Sequence, residues 1–296
     1  MTERRRLKNV AAQIALTPAW LIVAFAYVGT VIWTIVISFT SSKSIPAYNF
    51  VGWAQYARLF STDRWYISIN NIIIFGVLFL SICLVIGFLL AAALDQKIMF
   101  ENSYRTVILY PYAMSFVVTG LIWQWMLNPA LGIEKTMHDL GFASFNFDWI
   151  VRTDMAIYTL VIAGVWQASG LVMALMLAGL RGVDAEIWKA ARVDGIPAWR
   201  VYLFIILPIM RPMIVTAVVL LSIGVVKAYD LVIALTQGGP GLSTEVPAKF
   251  VMDNLFNRAN IGLATAASTV MLVTVLAVLV PWFYTEYARR NRGGHA

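Results

Sequence analysis

Charge, cysteine and histidine are all scarce in this 296-residue chain. Only 12% of its residues are charged and 60% are hydrophobic, whereas ordinary soluble domains run at about 25% and about 45–50%. That balance excludes a free-standing water-soluble domain. A single cysteine, Cys83, sits in an apolar run. It excludes an internal disulfide and reads as a small buried hydrophobe. His138 and His295 are the only histidines, too few to build a conventional zinc centre with one cysteine. Motifs of chemistry are missing as well: there is no HExxH, no GxSxG and no phosphate-cradling GxxxxGK[ST]. The chain is therefore expected not to be an enzyme, to bind no cofactor directly and not to hydrolyse ATP itself. Nothing near its start reads as a cleavable signal. The first apolar run is long, holds Trp20, Tyr27 and Trp33, and has no small-residue cleavage site at its end.

What is present is a series of apolar runs long enough to cross a bilayer, which takes about twenty residues. They fall at about 14–39, 67–94, 106–126, 156–180, 207–235 and 261–284. Pro111, inside the third, is expected to kink or reset its helix. The fold class is thus all-α, a polytopic membrane protein of six transmembrane helices. Its parts are a basic N-terminus (1–13), a first transmembrane helix (14–39), a transmembrane core (67–284) and a tail (285–296) that reads as unstructured. The net charge of +7 does not form a nucleic-acid-binding stripe, and no nucleic-acid partner is expected. Most of the excess flanks the apolar runs. The N-terminus (Arg4, Arg5, Arg6, Lys8), the 95–105 loop, the 181–211 segment and the tail together hold twice as many Lys and Arg as the three loops opposite them. Acidic residues divide evenly. The positive-inside rule then puts both termini in the cytoplasm, in a multi-pass inner-membrane topology.

One segment is too charged for this setting and dominates the reading: 184–212, DAEIWKAARVDGIPAWRVYLFIILPIMRP. Asp184 suits an N-cap, and Glu186 places negative charge in the first turn. Gly195 suits the left-handed residue that ends the helix, and Pro197 the first turn of the next. A helix of about ten residues is marginal alone, so it leans on its own membrane domain, on a partner or on lipid headgroups. Ile187 and Ala191 lie one turn apart with Trp188 beside them. That face has the shape to fill a partner's groove while Arg192 stays wet, or to lie on the lipid headgroups with Trp188 as its interface anchor. Elsewhere Lys227 and Asp230 lie within the fifth run, where charge is expensive. They read either as part of a polar solute path beside Tyr229 or as an internal i,i+3 pair snorkelling to the interface. Asn71 and Gln167 are further path candidates, equally readable as interhelical glue. A six-helix bundle of this kind suits half of a pump, or alternatively a stand-alone secondary transporter or channel for a small solute.

Two motifs decide between these. Lys189, Ala190, Ala191, Asp194, Gly195, Ile206, Leu207 and Pro208 resemble the cytoplasmic signature loop of the membrane-spanning subunits of bacterial ABC importers. Thr236, Gly238, Gly239, Pro240 and Thr244 resemble the external T-x-G-G-P-x-x-x-T loop of the carbohydrate branch, of maltose or glycerol-phosphate type. Lys189 departs from the pattern, standing where the signature has glutamate. The resemblance implies the type I permease fold and half of a sugar translocation path. Its implied partners are a second, non-identical permease subunit, two copies of a cytoplasmic ABC ATPase that bind ATP and Mg, an external sugar-binding protein and membrane lipid. It also implies that Glu186, Ile187, Trp188, Lys189, Ala190, Ala191, Asp194, Gly195 and Pro208 couple to the ATPase. The first transmembrane helix is then expected to pack around the partner subunit.

Overall fold

A computed structural model describes residues 13, 15–96 and 98–293, with side chains as far as Ala277. Arg4, Arg5, Arg6, Lys8, Lys97 and the side chains of the tail lie outside what it describes. The described chain is helical, with no β-strand beyond an isolated bridge between Thr40 and Phe50. We number its helices α1 (Ala15–Ser38), α2 (Ala54–Phe60), α3 (Asp63–Leu94), α4 (Glu101–Leu109), α5 (Phe116–Met126), α6 (Ile133–Asp139) and α7 (Ala156–Arg181). They continue as α8 (Ala185–Val193), α9 (Ala198–Ile209), α10 (Arg211–Val226), α11 (Tyr229–Leu235), α12 (Pro247–Met252) and α13 (Ile261–Gly293).

Three of these, α1, α3 and α7, are long and apolar enough to cross a membrane unbroken. The third and fifth expected spans are not straight helices. Residues Glu101–Ala113 and Phe116–Met126 meet at 99°. Pro111 tightens the chain into a 3₁₀ turn, Met114 turns extended (ψ 150°), and Ser115 restarts the helix by accepting the Val118 N–H. Likewise α9 and α10 meet at 74°. Pro208 has no N–H for the carbonyl four residues earlier, and the backbone widens into a π turn over Val201–Ile206 just before it. The fifth run breaks again after Val226, so α11 is separate. The last helix runs past Tyr284 to Gly293, which overturns the expectation of an unstructured tail at those residues. Apolarity sets which residues enter the membrane; prolines set where the helices bend.

The chain packs into two compact units. Among the described residues, one comprises those up to Trp65 together with those from Phe250 onward, the other Tyr66–Lys249. In the first, α13 lies along α1 and α2. Gly262 makes this approach possible, because a Cβ there would overlap the Thr40 carbonyl and the Gln55 amide. Its N–H bonds the Ser42 carbonyl at 2.9 Å, and Gln55 Nε2 donates to the Thr40 carbonyl at 3.0 Å. Arg64 pairs with Asp253 and lies 5.7 Å from the centre of the Phe250 ring.

The second unit is organised around α7. Most of its residues are buried, and its small residues let neighbours close in. A Cβ at Gly170 would overlap the Ile108 carbonyl, and Gly164 faces the Phe79 ring. From α3, Gly87 sits against Val172 of α7. Without a hydrophobic force between helices in lipid, such close van der Waals contact is what holds them. Phe75 and Phe79 stack at 5.3 Å within this core.

Candidate functional site

The second unit presents three sets of candidate residues, each held by different physics. The first is α8. Asp184 caps it, accepting the Glu186 N–H at 2.9 Å. At the far end the Ile196 N–H reaches the Ala191 carbonyl at 3.0 Å, and the Gly195 N–H reaches Arg192 at 3.2 Å. These are the two bonds of a Schellman ending. Gly195 takes φ +67°, which only glycine adopts without penalty. Pro197 is the extended residue before α9 rather than a member of its first turn.

The orientation of α8 reverses one expectation. Ala191 is 5% exposed and belongs to the core, and Ile187, Trp188 and Ile196 pack against that core. The Trp188 ring meets Tyr202 of α9 edge-on at 5.3 Å, and Tyr202 meets Phe88 of α3 at 6.0 Å. The face expected to fill a partner's groove is therefore turned onto the chain's own membrane helices. A marginal helix must bury its apolar stripe, and its own domain is the nearest cover. Left outward are Glu186, Lys189, Ala190, Arg192, Asp194 and Val193, the last 87% exposed. Lys189 makes no ion pair among the described residues. Pro208 is exposed within α9, at the bend rather than on α8. Beside α8, Arg181 binds Glu101 at 2.7 Å and approaches Asp95 at 3.8 Å, and Arg105 approaches Glu101 at 3.8 Å. Two segments that the charge pattern assigns to one side of the membrane, 95–105 and 181–211, thus meet in one ion-pair cluster.

The second set is the loop after α11. Thr236 and Thr244 close it, their hydroxyls 2.7 Å apart, and Thr244 also donates to the Gly239 carbonyl at 2.9 Å. The Gly239 N–H returns to the Thr236 carbonyl at 3.0 Å, and the Gly239–Pro240 peptide is cis. Glycine is required at Gly238 (φ +90°), where a Cβ would also strike the Lys249 side chain. Gly239 takes an ordinary backbone angle and leaves room for a Cβ. Under the loop, Asn71 Nδ2 donates to the carbonyls of Leu242 and Glu245, each at 3.0 Å. Asn71 is thus committed to holding this loop rather than to lining a path. Sequence reading missed Glu245, which is 1% exposed with Lys249 3.7 Å away. Its signal was legible as Glu-x-x-x-Lys, the i,i+4 spacing of a helical ion pair.

The third set is dispersed. Lys227 and Asp230 do not pair and do not share one continuous helix. Lys227 ends α10 and Asp230 opens α11, both exposed. Each lies where the helix dipole favours its charge, a cation at a C-terminus and an anion at an N-terminus. Tyr229 beside them is half-buried. Gln167 is buried, and its Nε2 donates to the Met114 carbonyl at 2.7 Å, satisfying the bend between α4 and α5. Its Oε1, with Thr119 Oγ1 and Trp123 Nε1 of α5, is buried without a hydrogen-bond partner. No spacing in the sequence announces Thr119 or Trp123, since both read as ordinary members of an apolar run.

Residues 99–293 match the family described as the binding-protein-dependent transport system inner membrane component. A probable ABC transporter permease of Pyrococcus horikoshii is 36% identical, over 94% of this chain and 96% of its own length. A xylose/arabinose import permease of Haloferax volcanii is 33% identical, over 91% and 87%. Among solved structures, a bacterial ABC transporter that imports the acidic polysaccharide alginate superposes with a TM-score of 0.78 at 18% identity, covering 97% of this chain and 99% of that one.

Proposed function

Because the chain belongs to the family of binding-protein-dependent transport system inner membrane components, we propose that it forms half of the path of an ATP-driven sugar importer. Sugar as cargo is supported by the xylose/arabinose relative and by the T-x-G-G-P-x-x-x-T loop closed by Thr236 and Thr244. An external binding protein delivers the sugar. A non-identical second permease completes the path, and two cytoplasmic ATPases bind ATP and Mg. Both termini lie in the cytoplasm.

The observation that carries the coupling role is the seat of α8. Its inner face is keyed through Trp188 to Tyr202 and Phe88, while its outer face is free. A force on Glu186, Lys189, Ala190, Val193 and Asp194 would pass through these rings into α9 and α3. The ATPase is accordingly assigned to the outer face and the membrane helices to the inner one. Lys227, Tyr229 and Asp230 stand at a break where exposed charge needs water or a polar partner rather than lipid. They are assigned to the path.

The test is ATP hydrolysis by the reconstituted complex with and without loaded binding protein. Val193→Asp, at an 87% exposed position, should leave the permease folded and inserted yet abolish the stimulation. Wild-type stimulation would remove α8 from the coupling role. Transport without any copurifying ATPase would instead support the secondary carrier.

A further inference from the structure

The bend of 99° between α4 and α5 leaves buried polar groups in the seam between α5 and α7. Met114 stands extended at the bend, and its carbonyl takes a hydrogen bond from Gln167 Nε2 at 2.7 Å. A carbonyl only accepts, so this bond fixes which end of the Gln167 amide faces Met114. The other end, Oε1, is buried without a hydrogen-bond partner. One face of α5 supplies two more such atoms. Thr119 and Trp123 lie one turn apart on it, and Thr119 Oγ1 and Trp123 Nε1 are likewise buried and unpartnered.

Two contacts pin that face to the stretch of α7 that carries Gln167. At one end Gln167 itself holds Met114. At the other the Trp123 ring meets Trp166, the neighbour of Gln167, edge-on at 6.0 Å. Thr119 lies along α5 between these two contacts. The seam is closed to solvent, with Thr119 fully buried and Gln167 4% exposed. On its other flank α5 is sealed by α11, because Gly120 lets it come so near that a Cβ would overlap Ala234. The three atoms are complementary to one small guest. An indole N–H only donates, an amide oxygen only accepts, and a hydroxyl does either. The indole N–H turns away a cation, and the amide oxygen turns away an anion. A water molecule accepts from Trp123, donates to Gln167 and shares a third bond with Thr119. Three bonds is the usual complement of a buried water.

We propose that the seam between α5 and α7 is a binding site for a single water molecule, held by Trp123 Nε1, Thr119 Oγ1 and Gln167 Oε1. The water ties α5 to α7 just after the bend and completes the clamp that Gln167 begins on Met114. Polar side chains join membrane helices in the same way when they meet directly; here the water spans them. Such a site depends on neither the cargo nor the role of α8.

The test has two arms, both on the whole importer complex. A cryo-electron-microscopy map recorded without sugar should show a peak within about 2.7–3.2 Å of all three atoms. If Trp123 Nε1 instead bonds Gln167 Oε1 directly, with no peak between them, the proposal is wrong. A peak that forms only when sugar is loaded is a hydroxyl of the cargo, and the proposal is again wrong. The second arm is Thr119→Val, which keeps the shape of the side chain and deletes its hydroxyl. With water bound, the change strips away one of its three bonds, and the complex should melt about 2–4 °C below the parent. Without a guest, the same change replaces an unsatisfied hydroxyl by a methyl group, which is neutral or stabilising. A melting temperature equal to or above the parent's therefore overturns the proposal. Gel filtration of the assembled complex is the folding control. The map of the parent needs no variant, so it decides the matter even if Thr119→Val fails to assemble.

Discussion

At the scale of single residues, the neighbouring positions Lys189 and Ala191 separate docking from folding. Ala191 is 5% exposed in the core, so Ala191→Glu buries a carboxylate with no partner. We expect a loss of about 2–4 kcal/mol of stability, seen as a lowered melting temperature in detergent and poor recovery of assembled complex. Lys189 faces outward without an ion pair among the described residues. Lys189→Glu should therefore melt like the parent while changing binding-protein-stimulated ATP hydrolysis. Equal melting of the two variants would contradict the orientation of α8. Gly195 tests the backbone alone. It sits at φ +67° with nothing within 4 Å of where a Cβ would stand, so Gly195→Ala costs only the left-handed conformation, about 1–2 kcal/mol. Stimulation should fall with Gly195→Ala because the angle between α8 and α9 relaxes. Unchanged stimulation would mean that angle carries no force.

At the scale of elements, the loop between α11 and α12 is held by few bonds, each identifiable. Thr244 is fully buried and contributes two of them. Thr244→Val keeps the volume and deletes both, leaving the Thr236 hydroxyl and the Gly239 carbonyl short of a partner. That should cost about 1–3 kcal/mol and loosen the loop. The expected result is reduced uptake with copurification of the ATPase intact, measured on the same membranes. Gly238→Val should be more severe than Gly239→Val. The former meets Lys249 at φ +90°, whereas the latter has only ordinary contacts at 3.5 and 3.6 Å. Equal transport by these two variants would remove the stated reason for glycine at Gly238.

At the scale of the whole molecule, the testable quantity is sidedness. In a Cys83→Ser background, Lys189→Cys and Gln237→Cys place thiols at two exposed positions that the charge pattern assigns to opposite sides. An impermeant thiol reagent should label Gln237→Cys in intact cells and Lys189→Cys only after permeabilisation. The reverse order would invert the topology and with it the assignment of α8 to the ATPase. The ion-pair cluster of Arg181 with Asp95 and Glu101 brings together two of the segments that the charge pattern assigns to the α8 side.

Composition alone determined that the chain is a helical membrane protein, because long apolar runs have no other stable state in lipid than hydrogen-bonded helix. Local chemistry likewise determined the cap at Asp184 and the stop at Gly195, since each depends on residues within one turn. The glycine-rich loop was recognisable, but not which of its glycines is indispensable, because that depends on where Lys249 arrives. The bend at Pro111 in the third span was legible from its proline, whereas a single unbroken fifth span was the expectation from apolar length, and Pro208 bent it. The inward face of α8 was decided only by tertiary packing. Periodicity identified an apolar stripe on that helix, but a stripe does not say whose surface covers it. Tyr202 and Phe88, distant in sequence, supplied the cover and left Lys189 and Val193 outside.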